Sequence, residues 1–209
     1  MSTSKQRPGR PRDNRIDDAI LDAARELLLG RGYDGFTIEE VAARAGIGKA
    51  AIYRRHRSKA EMVFAASVHD LRTEPPADTG SLRGDLLAFA YFIRDNIGRP
   101  VARQAGPALV AELARDPDLV ARFQQTFLAK EQRDFAAVVD RAVRRGELAR
   151  PVDPALLHLL LTGPVFTALV GLHTPVDDRL LQDTVTVLAA GIVALAAAPP
   201  RKPRASRTG

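Results

Sequence analysis

The stretch that most constrains this chain is TIEEVAARAGIGKAAIYRRHRSK, residues 37–59. Thr37 followed three residues later by Glu40 is a capping-box start for a helix. Ile38, Val41, Ala42 and Ala45 then recur at i, i+3, i+4 and i+7, one apolar stripe on a short helix. Gly46 stands where the stripe stops and suits the left-handed residue that closes a helix. A second short helix follows through Ile52 and Tyr53, and Ser58-Lys59-Ala60-Glu61 is another capping box that opens a third. Helix, glycine turn, helix, with arginines on the second helix, is the pattern of a helix-turn-helix that reads double-stranded DNA.

With Ile52 placed inward, steps of about 100° per residue put Ala50 and Arg54 outward, with Ala51 and Tyr53 on the flanks. The alanines permit close approach to a groove, and an alanine methyl can touch a thymine methyl. Arg54 carries the fork that matches guanine O6 and N7. Lys49, Tyr53, Arg55 and Lys59 suit phosphate contacts, which position without specifying. His56 lies toward the protein side, where a neutral ring packs and a protonated one adds charge near DNA. Thr37 and Ser58 cap helices whose free N–H groups also suit a phosphate.

Charge is distributed to match. The chain carries a net +6, with an excess of +4 over residues 1–72, −2 over 73–198 and +4 over 199–209. A basic first third on a near-neutral body points to nucleic acid at one end and a different task for the rest. Residues 1–14 read as a disordered arm, and Arg7-Pro8-Gly9-Arg10-Pro11-Arg12 within it is either a solvated basic tail or, through Arg10, a minor-groove contact. There is no cysteine, which removes disulfides, thiolate metal sites and cysteine nucleophiles and suits a reducing cytoplasm. The N-terminus has no apolar core of a secretory signal.

Helix one is expected over about residues 15–29, with Ile16, Ile20, Ala23, Ala24 and Leu27 on one face, and Phe36 is placed to staple onto Val41. Everything beyond the loop at 74–80 also reads helical. Helices are expected over 81–98, over 101–114 with a break at Gly106-Pro107, over 119–145, over 155–173 with a kink at Gly163-Pro164, and from a start at Pro175-Val176-Asp177-Asp178 to about 197. That makes an all-α chain of about nine helices: a disordered arm (1–14), a helix-turn-helix domain (15–60), a larger helical domain (61–198) and a basic tail (199–209). Residues 155–173 and 184–198 are unusually apolar, yet the first has His158 and a Gly-Pro break, so no membrane partner is expected. Leu181, Val185, Leu188, Ile192 and Leu195 form one seam, and Val187, Ala190, Gly191 and Ala194 offer small residues. Paired with a copy of itself, the chain would form an isologous four-helix interface, a homodimer.

Catalysis is not expected. His69, His158 and His173 have no metal-ligand spacing, and no cofactor is implied. The Gly46-Ile47-Gly48-Lys49-Ala50 run has alanine at position 43 and at position 50 where a phosphate loop needs glycine and a hydroxyl residue, and no nucleophile elbow occurs.

TIEEVAARAGIGKAAIYRRHRSKAEMV resembles the N-terminal domain of TetR-family transcriptional regulators, in particular those with Tyr-Arg-Arg-Trp before Ser-Lys. The likeness covers about residues 15–65. It departs at Gly48, where the family often has Ser or Thr as the recognition-helix cap, and at His56, where it has an aromatic. The resemblance implies a cytoplasmic homodimeric repressor, joined through its last two helices, whose body encloses a small-molecule effector. Phe89, Phe92, Phe123, Phe127, His158 and Phe166 lie on helices that, by this resemblance, surround the pocket, and their character suggests a largely apolar ligand. Control by a protein partner in place of a ligand is the other reading.

Overall fold

The computed structural model describes residues 11–69 and 74–199. Among them are ten α-helices and no strand: α1 (Pro11–Arg31), α2 (Ile38–Arg44), α3 (Lys49–Tyr53), α4 (Lys59–His69), α5 (Leu82–Ile97), α6 (Pro100–Leu113), α7 (Pro117–Phe123), α8 (Ala129–Arg144), α9 (Pro154–Phe166) and α10 (Asp178–Ala197). Two π-helical turns, Gln124–Leu128 and Thr167–Gly171, follow α7 and α9.

The chain is thus all-α, with ten helices where about nine were expected. The long helix expected over 119–145 is divided between α7 and α8 by the first π turn, where the hydrogen-bond register shifts. α6 runs unbroken through Gly106-Pro107. Pro107 is exposed, and Gly106 is buried where a Cβ would stand 2.7 Å from Val170 Cγ1, so the glycine permits close packing rather than a break. α1 begins at Pro11, earlier than the expected end of the arm at 14. Proline is tolerated in a first helical turn because its missing N–H is unpaired there in any case.

Two compact units result. The first comprises α1–α4, the C-terminal end of α5, α6, α7 and residues 169–173. Its core takes Ile20, Ala24, Leu27 and Leu28 from α1, Phe36 from the loop, and Ile38, Val41 and Ala42 from α2. Ile52 of α3 joins them, with Met62, Val63 and Ala66 of α4 and Val101 and Ala105 of α6. A three-helix unit alone buries little area; here the same core continues through α4 into α6.

Local signals explain this unit's turns. The Thr37 capping box is complete, with Glu40 N donating to Thr37 Oγ1 at 3.2 Å and Thr37 N donating to Glu40 Oε2 at 2.8 Å. Phe36 and Val41, on either side of the cap, are both buried. Gly46 has φ +66°, and the amides of Gly46 and Ile47 donate back to Ala43 O and Ala42 O, a Schellman closure. The second box is half made. Glu61 N donates to Ser58 Oγ, while the Glu61 carboxylate accepts from Arg57 N instead of Ser58 N.

The second unit holds residues 74–94, 124–168 and 174 onward. α9 packs on both α8 and α10. Asp85 on α5 is a fully buried carboxylate, accepting from Thr79 N and Oγ1 at 2.8 Å and, at 3.2 Å, from Arg141 of α8 and from Arg145 at that helix's C-cap. Burial pushes its pKa up, but the two Thr79 hydrogen bonds, Arg145 and Arg141 outweigh burial and hold it below the usual range. α10, and α9 together with the π turn that follows it (Pro154–Gly171), are each long and apolar enough to cross a bilayer by length and composition. Each buries one face in its own unit, with Leu157, Leu161 and Val165 inward on α9 and Val185, Leu188 and Ile192 inward on α10.

Candidate nucleic-acid interface

α3 projects from the first unit with Ile52 fully buried beneath it and Lys49, Ala50, Tyr53 and Arg54 exposed. Ala51 is half-buried at the flank. Tyr53 is 46% exposed, too open for a core aromatic. Gly48 is the N-cap in extended conformation (φ −75°, ψ 141°) and brings no side-chain hydrogen bond, so α3 starts uncapped. Thr37 is exposed at the start of α2, its hydroxyl engaged in the capping box.

The basic residues divide into outward and inward sets. Arg54 is exposed. Lys49 pairs with Glu39 of α2, and its Nζ lies 5.6 Å from the Tyr53 ring centre. The hydrogen bond to Glu39 moves the Lys49 pKa up and that of Glu39 down. Arg55 turns inward, its Nε donating to Asp17 of α1 and its NH1 to Ala51 O at 3.2 Å. Lys59 donates to Phe36 O and sits 4.1 Å and 4.7 Å from the Phe36 and Tyr33 ring centres. Burial lowers its pKa, with Asp34 and Glu40 acting against that shift. Arg55 and Lys59, which residue type alone sends to phosphates, are therefore anchored within the domain. Asp17, Glu39 and Tyr33 are residues of this site that sequence reasoning missed. Asp17 lies 38 positions from its partner, and nothing in a single sequence marks a pair so far apart.

His56 is half-buried, and its Nε2 is buried without a hydrogen-bond partner among the described residues. Burial lowers its pKa, Glu61 and Asp17 raise it, and Arg55 lowers it, with a net fall below the ordinary histidine value. Burial therefore disfavours the charged form of the ring. Arg10 lies outside the described residues.

The candidates for an effector site do not all meet. Phe89 and Phe92 stand together in the second unit, 6.2 Å apart between ring centres. Phe135 bridges Phe89 at 4.8 Å and His158 at 5.7 Å, and His158 Nε2 lies 2.6 Å from Glu131 Oε2. Phe166 is half-buried near the end of α9. Phe123 belongs to the first unit, where it packs on Phe64 at 4.9 Å. The side chain of Phe127 lies outside the described residues.

Most of the α10 seam lies inward in the protomer. Leu181, Val185, Leu188 and Ile192 are buried within the protomer, and only Leu195 of that seam is exposed. Large residues bury most area per position, so they fill the chain's own core. The exposed stripe is the small-residue one, with Val187 75% exposed and Ala190, Gly191 and Ala194 open beside it. Val187 and Gly191 of this stripe, with Leu188, Ile192 and Leu195 of the seam and Leu156, Leu160 and Pro164 of α9, line an open apolar groove of about 690 Å³.

Comparison with known proteins agrees with this geometry. The family described as bacterial regulatory proteins, tetR family, matches residues 20–66, and a tetracyclin repressor-like C-terminal domain matches residues 76–188. The DNA-binding transcriptional repressor TetR of Mycobacteroides abscessus is 34% identical over 81% of this chain and 92% of its own. An uncharacterised HTH-type transcriptional regulator of Bacillus subtilis, YdeS, is 28% identical over 90% and 96% of the two chains. Among solved structures, a TetR family transcription regulator at 30% identity superposes with a TM-score of 0.64, covering 85% of this chain and 98% of that one.

Proposed function

Since the chain belongs to the TetR family of bacterial transcriptional regulators, we propose that it acts as a homodimeric repressor released from a palindromic operator by a small, largely apolar ligand. The observation that carries the DNA assignment is α3: a helix anchored by one buried isoleucine that offers Ala50, Tyr53 and Arg54 outward. In this reading Arg54 takes a base edge, Lys49 and Tyr53 take phosphates, and the exposed end of α2 at Thr37 adds a backbone contact. Arg10, in the basic arm ahead of α1, adds a contact in the neighbouring minor groove.

Dimerisation falls to α9 and α10. A monomer would leave Leu159, Leu160, Val187 and Val193 in water, each more than 40% exposed. An apolar patch of this kind marks an association surface. A second copy laid on the same groove covers both patches at once and presents two α3 helices to half-sites one helical turn apart.

For the ligand, the cluster of Phe89, Phe92 and Phe135 with His158 and Glu131 supplies an apolar lining with one polar pair, the makeup of a small-molecule site. A ligand that prefers one of two conformations lowers DNA affinity by the ratio of its affinities for the two. Control by a protein partner is the second reading; the exposed apolar face of α9 and α10 would serve it if the chain were monomeric. The role is cytoplasmic and regulatory, without catalysis.

Selection of bound duplexes from a random pool tests the reading. It predicts a palindrome with half-sites about 10 base pairs apart centre to centre, bound by two chains. Recovery of no preferred sequence would refute it. Mass spectrometry of small molecules that copurify, followed by thermal shift with hydrophobic compounds, tests the ligand. An apolar compound that raises Tm and releases DNA is the expected result.

A further inference from the structure

α3 is five residues long, is entered through an uncapped glycine and buries only Ile52. A helix this short has no stability of its own in water, so contacts to neighbouring helices must set its direction. Arg55, just past its end, makes the most enclosed of the α3 ion pairs. Its side chain is 17% exposed, its Nε donates to Asp17 of α1, and its NH1 returns to Ala51 O of α3 itself. A planar guanidinium held at two of its nitrogens fixes direction as well as charge. To reach a phosphate, Arg55 would have to give up both contacts. The adjacent His56 also turns toward the protein, so the chain leaving α3 is seated on the domain rather than offered to DNA.

We propose that Asp17 is a positioning residue for DNA recognition: through Arg55 it sets the angle at which α3 presents Ala50, Tyr53 and Arg54, and Arg55 acts through this contact rather than on phosphate. The inference rests on the reading of α3 as the DNA-reading helix. It goes against simple electrostatics in a way that can be measured. Removing a negative charge from a DNA-binding unit should, by charge alone, tighten binding to every duplex. Positioning predicts the reverse for the matching duplex only, because base-edge contacts need the angle and phosphate contacts tolerate its loss.

The test uses the full-length chain, the duplex that the wild type selects from a random pool, and a scrambled duplex of equal length, at fixed salt. Asp17→Asn should bind the selected duplex at least fivefold more weakly and the scrambled one equally or more tightly. Arg55→Lys keeps the charge and loses the fork; it should show the same fall in the ratio of selected to scrambled affinity, and it decides the matter if Asp17→Asn does not fold. The exchanged pair Asp17→Arg with Arg55→Glu should recover part of that ratio. Asp17→Asn binding the selected duplex as tightly as wild type, or Arg55→Lys keeping the full ratio, would overturn the proposal. A wild-type chain that selects no duplex would instead overturn the DNA reading itself, and this inference with it.

Discussion

Gly48→Ser should stabilise this protein, while Gly46→Ser, two residues earlier, should destabilise it. Gly48 is the N-cap of α3 at φ −75° and ψ 141°, a conformation open to any residue, and a Cβ there meets nothing within 4 Å. A serine hydroxyl at that position can accept from the amide of Ala50, the N2 residue, since that of Ala51 already donates to Gly48 O at 2.8 Å. Serine in place of glycine at an N-cap is worth a few tenths of a kcal/mol, and the loss of glycine's freedom in the unfolded chain adds about 0.4–1 kcal/mol. Together these give about 0.5–1.5 kcal/mol, or roughly 1–6 °C in Tm for a chain of this size. Gly46 also has open space around its Cβ position but stands at φ +66°. An L-residue there costs about 1–2 kcal/mol, which exceeds the entropy gained, so Tm should fall. Thermal melts at matched protein concentration read both signs, and hydrogen exchange at Ala50 N–H should slow in Gly48→Ser alone. A Gly48→Ser protein no more stable than wild type, or both substitutions shifting Tm in one direction, would refute the reasoning.

Three further outcomes are expected. Asp85→Asn leaves Thr79 with an acceptor but strips Arg141 and Arg145 of a buried carboxylate, at a cost of about 2–4 kcal/mol, whereas Asp78→Asn, in a half-exposed pair, should cost about 0–1 kcal/mol. The Asp85 pKa is depressed by folding, so its contribution is complete above about pH 4 and is lost as pH falls through the lower folded value; urea melts should show a flatter acid limb in the variant. The His56 pKa is also depressed, which disfavours its charged form, so operator affinity should change little between pH 7.5 and 6. Stability should decline as pH drops below about 6.5 toward the folded value, and His56→Phe should remove that decline. Val187→Arg, on the most exposed apolar position of α10, should convert a dimer to a monomer in analytical ultracentrifugation without lowering Tm by more than the loss of association explains.

What the sequence makes legible here is what neighbouring residues decide among themselves. The Thr37–Glu40 box, the Gly46 closure and the inward Ile52 all span a few residues, and their chemistry is complete within that span. Contacts between distant positions carry no such mark. Arg55 and Lys59 look like free cations in the sequence, and only the fold brings Asp17 and the Phe36 carbonyl to them. Periodicity found two stripes on α10 but not which one faces inward. That is settled by competition for the core, which the larger residues win. Proline misleads in a similar way: Pro107 sits, exposed, inside a helix that continues through it.

The central claim is that α3 reads DNA through its outward face, and Arg54→Ala tests it most directly. Titrated against the selected palindrome, its single-base variants and random duplex, the variant should lose about 1–3 kcal/mol of discrimination at one base pair of each half-site. Its affinity for random duplex should fall only by the loss of one charge. Equal weakening on palindrome and random duplex, with base preference intact, would contradict the account.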